Sequence, residues 1–352
     1  MKQSKNGILT AVSALGGRRA GLSVILRRCA CEAKSYKFKP LIKAKAEMKT
    51  STKYELKISA IVCTYNRQEK LIKAVSSLMN QTLSRDKYEI IVVNNGGELS
   101  VETAEKLIGT RIINEPKPGL TYARNTGAVA AEGEFLTYID DDAIAEPNML
   151  EEILNAFLNH ENAGIIGGQI WLRSPKREIV LDGHEDLWSE FRIPGKKYRE
   201  VSRQYEFPFG ANFSVRHSML DEAGGFDERY GRTGSDYAGG EETALCFKAL
   251  NMGYKIGLEP NSVVWHDVDE SRFTREHIRR TMAAGIFTTC RLYKDGYSRS
   301  AWDRSYALER VNIAEAEIEK LRRRGADELE IFYKECERDG FIELAQSLES
   351  KE

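Results

Sequence analysis

Leu56-Lys57-Ile58-Ser59-Ala60-Ile61-Val62-Cys63-Thr64-Tyr65-Asn66-Arg67 sets the reading of this chain. Leu56 to Cys63 reads as a buried strand, and the polar group Thr64 to Arg67 ends it. Asn66 and Glu69 stand at capping-box spacing, and Leu71, Ala74, Val75 and Leu78 follow on one helical face. The segment is strand, loop, helix. Tyr88 to Val93 is a second apolar strand, stopped by the turn chemistry of Asn94-Asn95-Gly96-Gly97. Two strands joined by a helix predict a right-handed parallel unit.

The pattern continues outward. Arg111 to Ile113 reads as a strand, Tyr122 to Ala131 as a helix and Glu134 to Ile139 as a strand. A helix carries Leu150, Ile153, Leu154 and Phe157 on one face. Residues 171 to 207 lack periodicity and read as a loop-rich insertion containing Trp188. Regularity returns at Ala211 to Val215, then in a helix from Glu241 to Met252 and strands at Lys255 to Leu258 and Val263 to Trp265. Phe273 to Tyr293 and the stripe Leu308, Val311, Ala314 and Ile318 read as accessory helices. The fold class is therefore α/β, a mostly parallel Rossmann-like sheet flanked by helices, with C-terminal accessory helices. Polar clusters follow three strand ends, where doubly wound folds bind ligands. The organisation is a basic extension over 1–55, a catalytic domain over 56–270 and a helical extension over 271–352.

At 352 residues and 41% hydrophobic content, the chain can bury one large core. The balance of 52 basic against 53 acidic side chains gives no electrostatic case for nucleic acid. Residues 1 to 50 are locally basic, with only Glu32 and Glu47 as acids, but no aromatic platform accompanies that charge. The segment reads either as a disordered arm or as residues preceding a native start at Met48. Its apolar runs are broken by arginine pairs, which argues against a secretory signal. The six cysteines form no paired metal motif and suit a reducing cytoplasm. No run approaches the roughly 18 apolar residues of a membrane span. A cytoplasmic protein is expected, with any membrane association peripheral and on the inner face.

Asp140-Asp141-Asp142 leaves the strand ending at Ile139. Three consecutive carboxylates repel one another unless a cation or basic groups lie among them. Asp140 and Asp142 can point to the same side, and hard oxygen ligands suit Mg²⁺ or Mn²⁺ bridging phosphate oxygens. A solvated acidic loop capping the next helix is the alternative from these three residues alone.

Taken in order, seven segments resemble the family 2 glycosyltransferases over residues 56 to 266. They are Ile61-Val62-Cys63-Thr64-Tyr65-Asn66-Arg67, Ile91-Val92-Val93-Asn94-Asn95-Gly96, Ala123-Arg124-Asn125-Thr126-Gly127, Ile139-Asp140-Asp141-Asp142, Gly224-Gly225-Phe226-Asp227-Glu228, Gly240-Glu241-Glu242-Thr243 and Trp265-His266. Each is weak alone; their joint order is specific. The resemblance implies a GT-A fold and a metal-dependent, inverting transfer of sugar from a nucleotide-sugar donor, as in cell-envelope polysaccharide synthesis. The acceptor would be a saccharide or a lipid-linked saccharide.

The resemblance also implies roles. Thr64, Tyr65 and Arg67 would hold the base and diphosphate, with Arg124 close to the nucleotide or paired with nearby carboxylates. Asp140 would contact the ribose and share the metal, Mn²⁺ or Mg²⁺, with Asp142 and His266, while Asp141 supports the loop. Asn94 departs from the family's usual Asp; its amide oxygen can still accept a bond from the base, but the donor, for which UDP-sugar is the first expectation, stays open. Glu241-Glu242 opens a helix, where carboxylates are favoured by the dipole. In the family an acidic pair here, usually Glu-Asp, supplies the base, which selects Glu242 with Glu241 as its rival. Gly210 and Asn212 would lie near sugar and acceptor, and Trp188 would help choose the acceptor unless it simply packs. Arg275, Arg279, Arg280 and Arg291 beside Ile278, Ile286, Phe287 and Leu292 could rest on a membrane, although packing on the catalytic domain is the commoner use. Nucleotide-sugar pyrophosphorylases are excluded because their Gly-rich opening is absent. A non-catalytic nucleotide-sugar-binding module is the remaining rival.

Overall fold

The computed structural model describes residues 56–173, 178–232, 239–297 and 302–349; the basic 1–55 segment lies outside them. In chain order the first half runs β1 (Ile58–Thr64), α1 (Gln68–Met79), β2 (Tyr88–Asn94), α2 (Val101–Lys106), β3 (Arg111–Asn114), α3 (Leu120–Ala130), β4 (Phe135–Asp140), β5 (Ala143–Ala145) and α4 (Met149–Asn159). The second runs β6 (Ala163–Leu172), β7 (Arg199–Val201), β8 (Phe213–Arg216), α5 (His217–Glu222), α6 (Glu241–Asn251), β9 (Lys255–His266), α7 (Arg275–Lys294), α8 (Arg304–Arg323) and α9 (Glu328–Glu349).

One sheet holds all the strands, in the order β3-β2-β1-β4-β8-β6-β9-β5, with β7 also on β9. β1 is central to its parallel half. Ile58 pairs with Tyr88 and Phe135, and the register carries Thr64 level with Asn94 and Cys63 level with Asp140. Three carboxyl ends therefore open on one edge. Beyond β4 the sheet is mixed rather than mostly parallel, because β8 runs antiparallel to both β4 and β6, and β5 and β7 run antiparallel to β9.

Leu71, Val75 and Leu78 of α1 join Ile153 and Phe157 of α4 against one sheet face, and Ala123 of α3 joins Leu245 and Ala249 of α6 against the other. A sheet covered on both faces explains the continuous apolar runs of β1 and β2.

Two local expectations need correction. Asn66 does not cap α1: it takes a left-handed φ of 58° and its Oδ1 accepts from the Gly97 amide at 2.7 Å, tying the β1 loop to the β2 turn. α1 starts instead on Arg67, without a side-chain cap. The two strands expected over 255–265 are one strand, β9, with a register shift against β6.

The C-terminal helices share a third core with Leu172, Leu187 and Trp188 of the insertion. Within it Arg310 and Glu337 pair at 2.8 Å, both nearly inaccessible, and Lys334 bridges Glu337 to Glu317. Glu337→Ala removes the buried carboxylate that Arg310 meets at 2.8 Å and that Lys334 shares. It should lower unfolding stability by about 3–5 kcal/mol. A chemical denaturation midpoint equal to that of the parent would reject this reading of the pair.

Candidate active site

The acidic triplet occupies the turn between β4 and β5. β5 pairs antiparallel with β9, setting Ala143 opposite His266, and the Asp267 amide donates to the Asp142 carbonyl at 2.7 Å. One ligand atom each from Asp140, Asp142 and His266 falls within 4.8 Å of the others. His266 Nε2 lies 3.0 Å from Asp142 Oδ1, and Nδ1 lies 3.1 Å from the main-chain oxygen of Trp188. A carbonyl only accepts, so Nδ1 carries a proton and Nε2 is the nitrogen turned toward the carboxylates. Two carboxylates and an imidazole oriented from behind form a donor set that fits Mn²⁺ or Mg²⁺.

Basic groups compensate this charge. Arg67 reaches Asp141 and Asp142, each at 3.0 Å, and Thr64 donates to Asp141 at 2.8 Å. Burial pushes the Asp141 carboxyl up to about 6 against the pull of Arg67. Burial acts the same way on Asp142, but His266 and Arg67 outweigh it and hold that carboxyl well below the usual range.

Across the cleft, Arg124 of α3 is almost wholly buried, with the Tyr138 and Phe226 rings beside its guanidinium. Its Nη1 donates to Glu241 Oε1 at 2.8 Å and to Glu242 Oε1 at 2.7 Å, and its Nη2 lies 3.8 Å from Asp140. Gly240, at a φ of 106°, makes the left-handed turn that starts α6 and aims both carboxylates inward. Two acids share one guanidinium, and they separate. Burial and its neighbour Glu242 push Glu241 up, whereas for Glu242 the Arg124 charge and hydrogen bond overcome burial and hold it down. Of the two, Glu242 is the one held toward its ionised form.

Gly210 packs against this pair. A methyl group there would sit 2.0 Å from Arg124 Nη2 and 2.2 Å from Glu242 Oε1. Gly210→Ala must displace both side chains, and a shift near 1 Å at reacting groups costs on the order of 10²-fold in rate. The expected result is a turnover loss of that size with an unchanged melting temperature; full turnover would mean that this side of the cleft takes no part.

The two halves enclose a cleft of about 450 Å³ at the carboxyl edge of the sheet. Thr64, Tyr65, Arg67, Arg124, Gly210 and His266 line it, as do the three aspartates and Glu241 and Glu242. Three expected residues do not. Asn94 is buried, its amide donating to the Gly97 oxygen and to Asn114 Oδ1; Asn95 faces the cleft in its place. Asn212 is fully enclosed, bracing β6 and β9 through the carbonyls of Gln169 and Ser262. Trp188 is buried, stacked on Phe273, with its indole N–H donating to the Arg272 oxygen. Its contribution here is packing, plus the carbonyl that orients His266.

Sequence reasoning missed Arg232, Arg272 and the α7 residues Thr281, Gly285 and Thr288, which complete the wall. Only the arginine charge could have flagged two of them. Of the α7 residues that could have rested on a membrane, Ile278, Ile286 and Leu292 are buried in the protein's own packing, the commoner use of such helices, and Phe287 is exposed. No described helix is long and apolar enough to cross a membrane.

Residues 59–224 match the family model described as glycosyl transferase family 2. Over that span the chain is similar to the family 2 glycosyltransferases. A glucosyl-dolichyl phosphate glucuronosyltransferase of Haloferax volcanii is 26% identical over 262 residues, covering 71% of this chain and 79% of that protein. The glycosyltransferase AglE of the same organism is 22% identical over 175 residues, covering 48% of this chain and 55% of that protein. The transferase thus spans most of the first relative's length and about half of the second's. Among solved structures, a mannosyltransferase from Pyrobaculum calidifontis in complex with GDP-mannose and Mn²⁺ superposes with a TM-score of 0.50 at 18% identity, over 78% of this chain and 71% of that one. That likeness shows the GT-A fold of the transferase.

Proposed function

We propose that this transferase moves a sugar from a nucleotide-sugar donor to an acceptor hydroxyl with inversion, assisted by Mn²⁺ or Mg²⁺ at Asp140, Asp142 and His266. The observation that carries the reading is the facing of two unlike groups across one cleft: a cation-ready donor set on the β4–β5 turn, and Glu242 of α6 held by Arg124. The relative that acts on a dolichyl-phosphate-linked sugar and the structural neighbour that holds GDP-mannose and Mn²⁺ support the class of substrate and ion.

Asp140, Asp142 and His266 would hold the ion, which would supply positive charge against that growing on the departing nucleoside diphosphate. Thr64, Tyr65 and Arg67 hold the nucleotide from the β1 side, with Arg67 offering a two-pronged donor to phosphate. A Glu242 carboxylate oxygen takes the acceptor's hydroxyl proton as that oxygen bonds to the anomeric carbon. The bond from that carbon to the diphosphate oxygen breaks on the opposite face, and its electron pair leaves with the diphosphate. Inversion follows from attack opposite the leaving group. Glu241, pushed toward its neutral form, keeps Arg124 in place rather than competing for the proton.

The test is release of nucleoside diphosphate from a panel of UDP- and GDP-sugars, with Mn²⁺, with Mg²⁺ and with chelator. Release from one donor that stops with chelator is the expected result. Nucleotide binding with no release from any donor, with saccharide and lipid-linked acceptors present, would favour a binding module and remove the catalytic reading.

A further inference from the structure

Two arginines in the cleft have no task in the chemistry above. Arg272 closes the short turn after β9, fixed by its own carbonyl, which accepts the Trp188 indole N–H at 3.3 Å. Its side chain is half-buried, and among the described residues no carboxylate lies within ion-pair distance of it. Arg232 has its main-chain oxygen accepting the Leu120 amide at 3.1 Å, at the start of α3, and its side chain faces the cleft unpaired among the described residues. Burial and the like charges of Arg232 and Arg67 push Arg272 down and outweigh the opposing pull of Asp142 and Asp140, while the Arg232 charge helps hold Glu241 and Glu242 down. Both arginines line the cleft shared by the acidic turn and the Glu241–Glu242 pair. Burial, the largest cause, pushes His277 down to about 4, so it adds no further positive charge.

Holding unpaired guanidiniums together in a partly desolvated cleft is unfavourable unless an anion joins them. Arginine cannot relieve the strain by giving up its proton. Its planar fork suits phosphate oxygens. We propose that Arg232 and Arg272 form a phosphate-binding subsite, distinct from the Arg67 contact and in the cleft shared by the metal-ready donor set and the base. Its occupant is a phosphate of the donor's diphosphate or a phosphate carried by the acceptor; both present the same oxygens. The inference rests on the proposed placement of donor and base, but binding can be tested without turnover.

Calorimetric titration with inorganic pyrophosphate, UDP and GDP, each with Mn²⁺, should be run on the intact protein and on Arg272→Gln, Arg232→Gln and Glu242→Gln. Competition by dodecyl phosphate, with dodecyl maltoside as the uncharged control, supplies the acceptor arm. If the donor's diphosphate occupies the subsite, both arginine variants weaken pyrophosphate and nucleotide at least tenfold. If the acceptor's phosphate does, nucleotide affinity holds and dodecyl phosphate alone loses at least tenfold. Glu242→Gln leaves all of these affinities intact, which separates this subsite from the assignment of the base. Arg272→Lys should recover only part of the loss. Unchanged affinities for every probe in both arginine variants, with unchanged melting temperatures, overturn the proposal.

Discussion

Glu242→Gln should abolish most sugar transfer, by about 10²- to 10⁴-fold in turnover, while nucleotide affinity stays within about twofold of the parent. The amide keeps the size of the side chain and can still accept from Arg124, so the cleft keeps its shape. It cannot take a proton. The companion variant Glu241→Gln should lose far less, since Glu241 is held toward its neutral form by burial and by Glu242. Reversed effects would move the base to Glu241. The acid limb of the rate profile supplies a second readout. Arg124 holds the Glu242 carboxyl below its usual value despite burial, so Glu242 stays ionised as pH falls to the ordinary glutamate pKa of about 4.3, and activity should fall only below it. A limb near neutrality would show that another group limits the reaction.

How much of this site could be read from sequence differs by element. β1, β2 and β4 are legible because a strand covered on both faces must be apolar along its length, and each ends abruptly in polar residues. β6 is not, since Gly164, Gly167 and Gly168 argue against a strand. In the fold those glycines admit the Tyr254 ring, Pro208 and the Asn212–Ser262 pair, where a side chain would collide. α9 has apolar residues scattered among charges, and its packing against α7 and α8 decides its state more than its own periodicity does.

The same division runs through the site. Asp140, Asp142 and the Glu241–Glu242 pair announce themselves by density of charge. Arg232 and Arg272 stand singly in loops, and only the tertiary arrangement brings them into one cleft. Asn66 misled for a physical reason: an Asn ahead of a helix suits an N-cap, but it is also among the few residues that tolerate a positive φ, and here the turn used that property. Trp188 shows the converse. Its ring is core, yet its backbone oxygen selects the His266 tautomer, a role invisible in any side-chain pattern.

Asp142→Asn should weaken Mn²⁺ binding at the proposed donor set. Asp142 is the member of the donor set already aligned with His266 Nε2 at 3.0 Å, and it is buried, so no nearby water can readily substitute. Losing the partner of a ligating histidine typically weakens metal affinity about 10- to 100-fold, and removal of a ligand carboxylate should reach or exceed that range. Mn²⁺ titration followed by electron paramagnetic resonance reads this directly, without a donor present. The fold should register the change separately. In chelator, the substituted amide would leave Arg67 and the buried His266 without their shared carboxylate, which should lower unfolding stability by roughly 1–3 kcal/mol. The control is Asp141→Asn, which disturbs the same turn and the same arginine but removes no member of the donor set. If Asp141→Asn lost Mn²⁺ as completely as Asp142→Asn, the ion would be held by the net charge of the turn, and the assignment of Asp140, Asp142 and His266 as its ligands would fail.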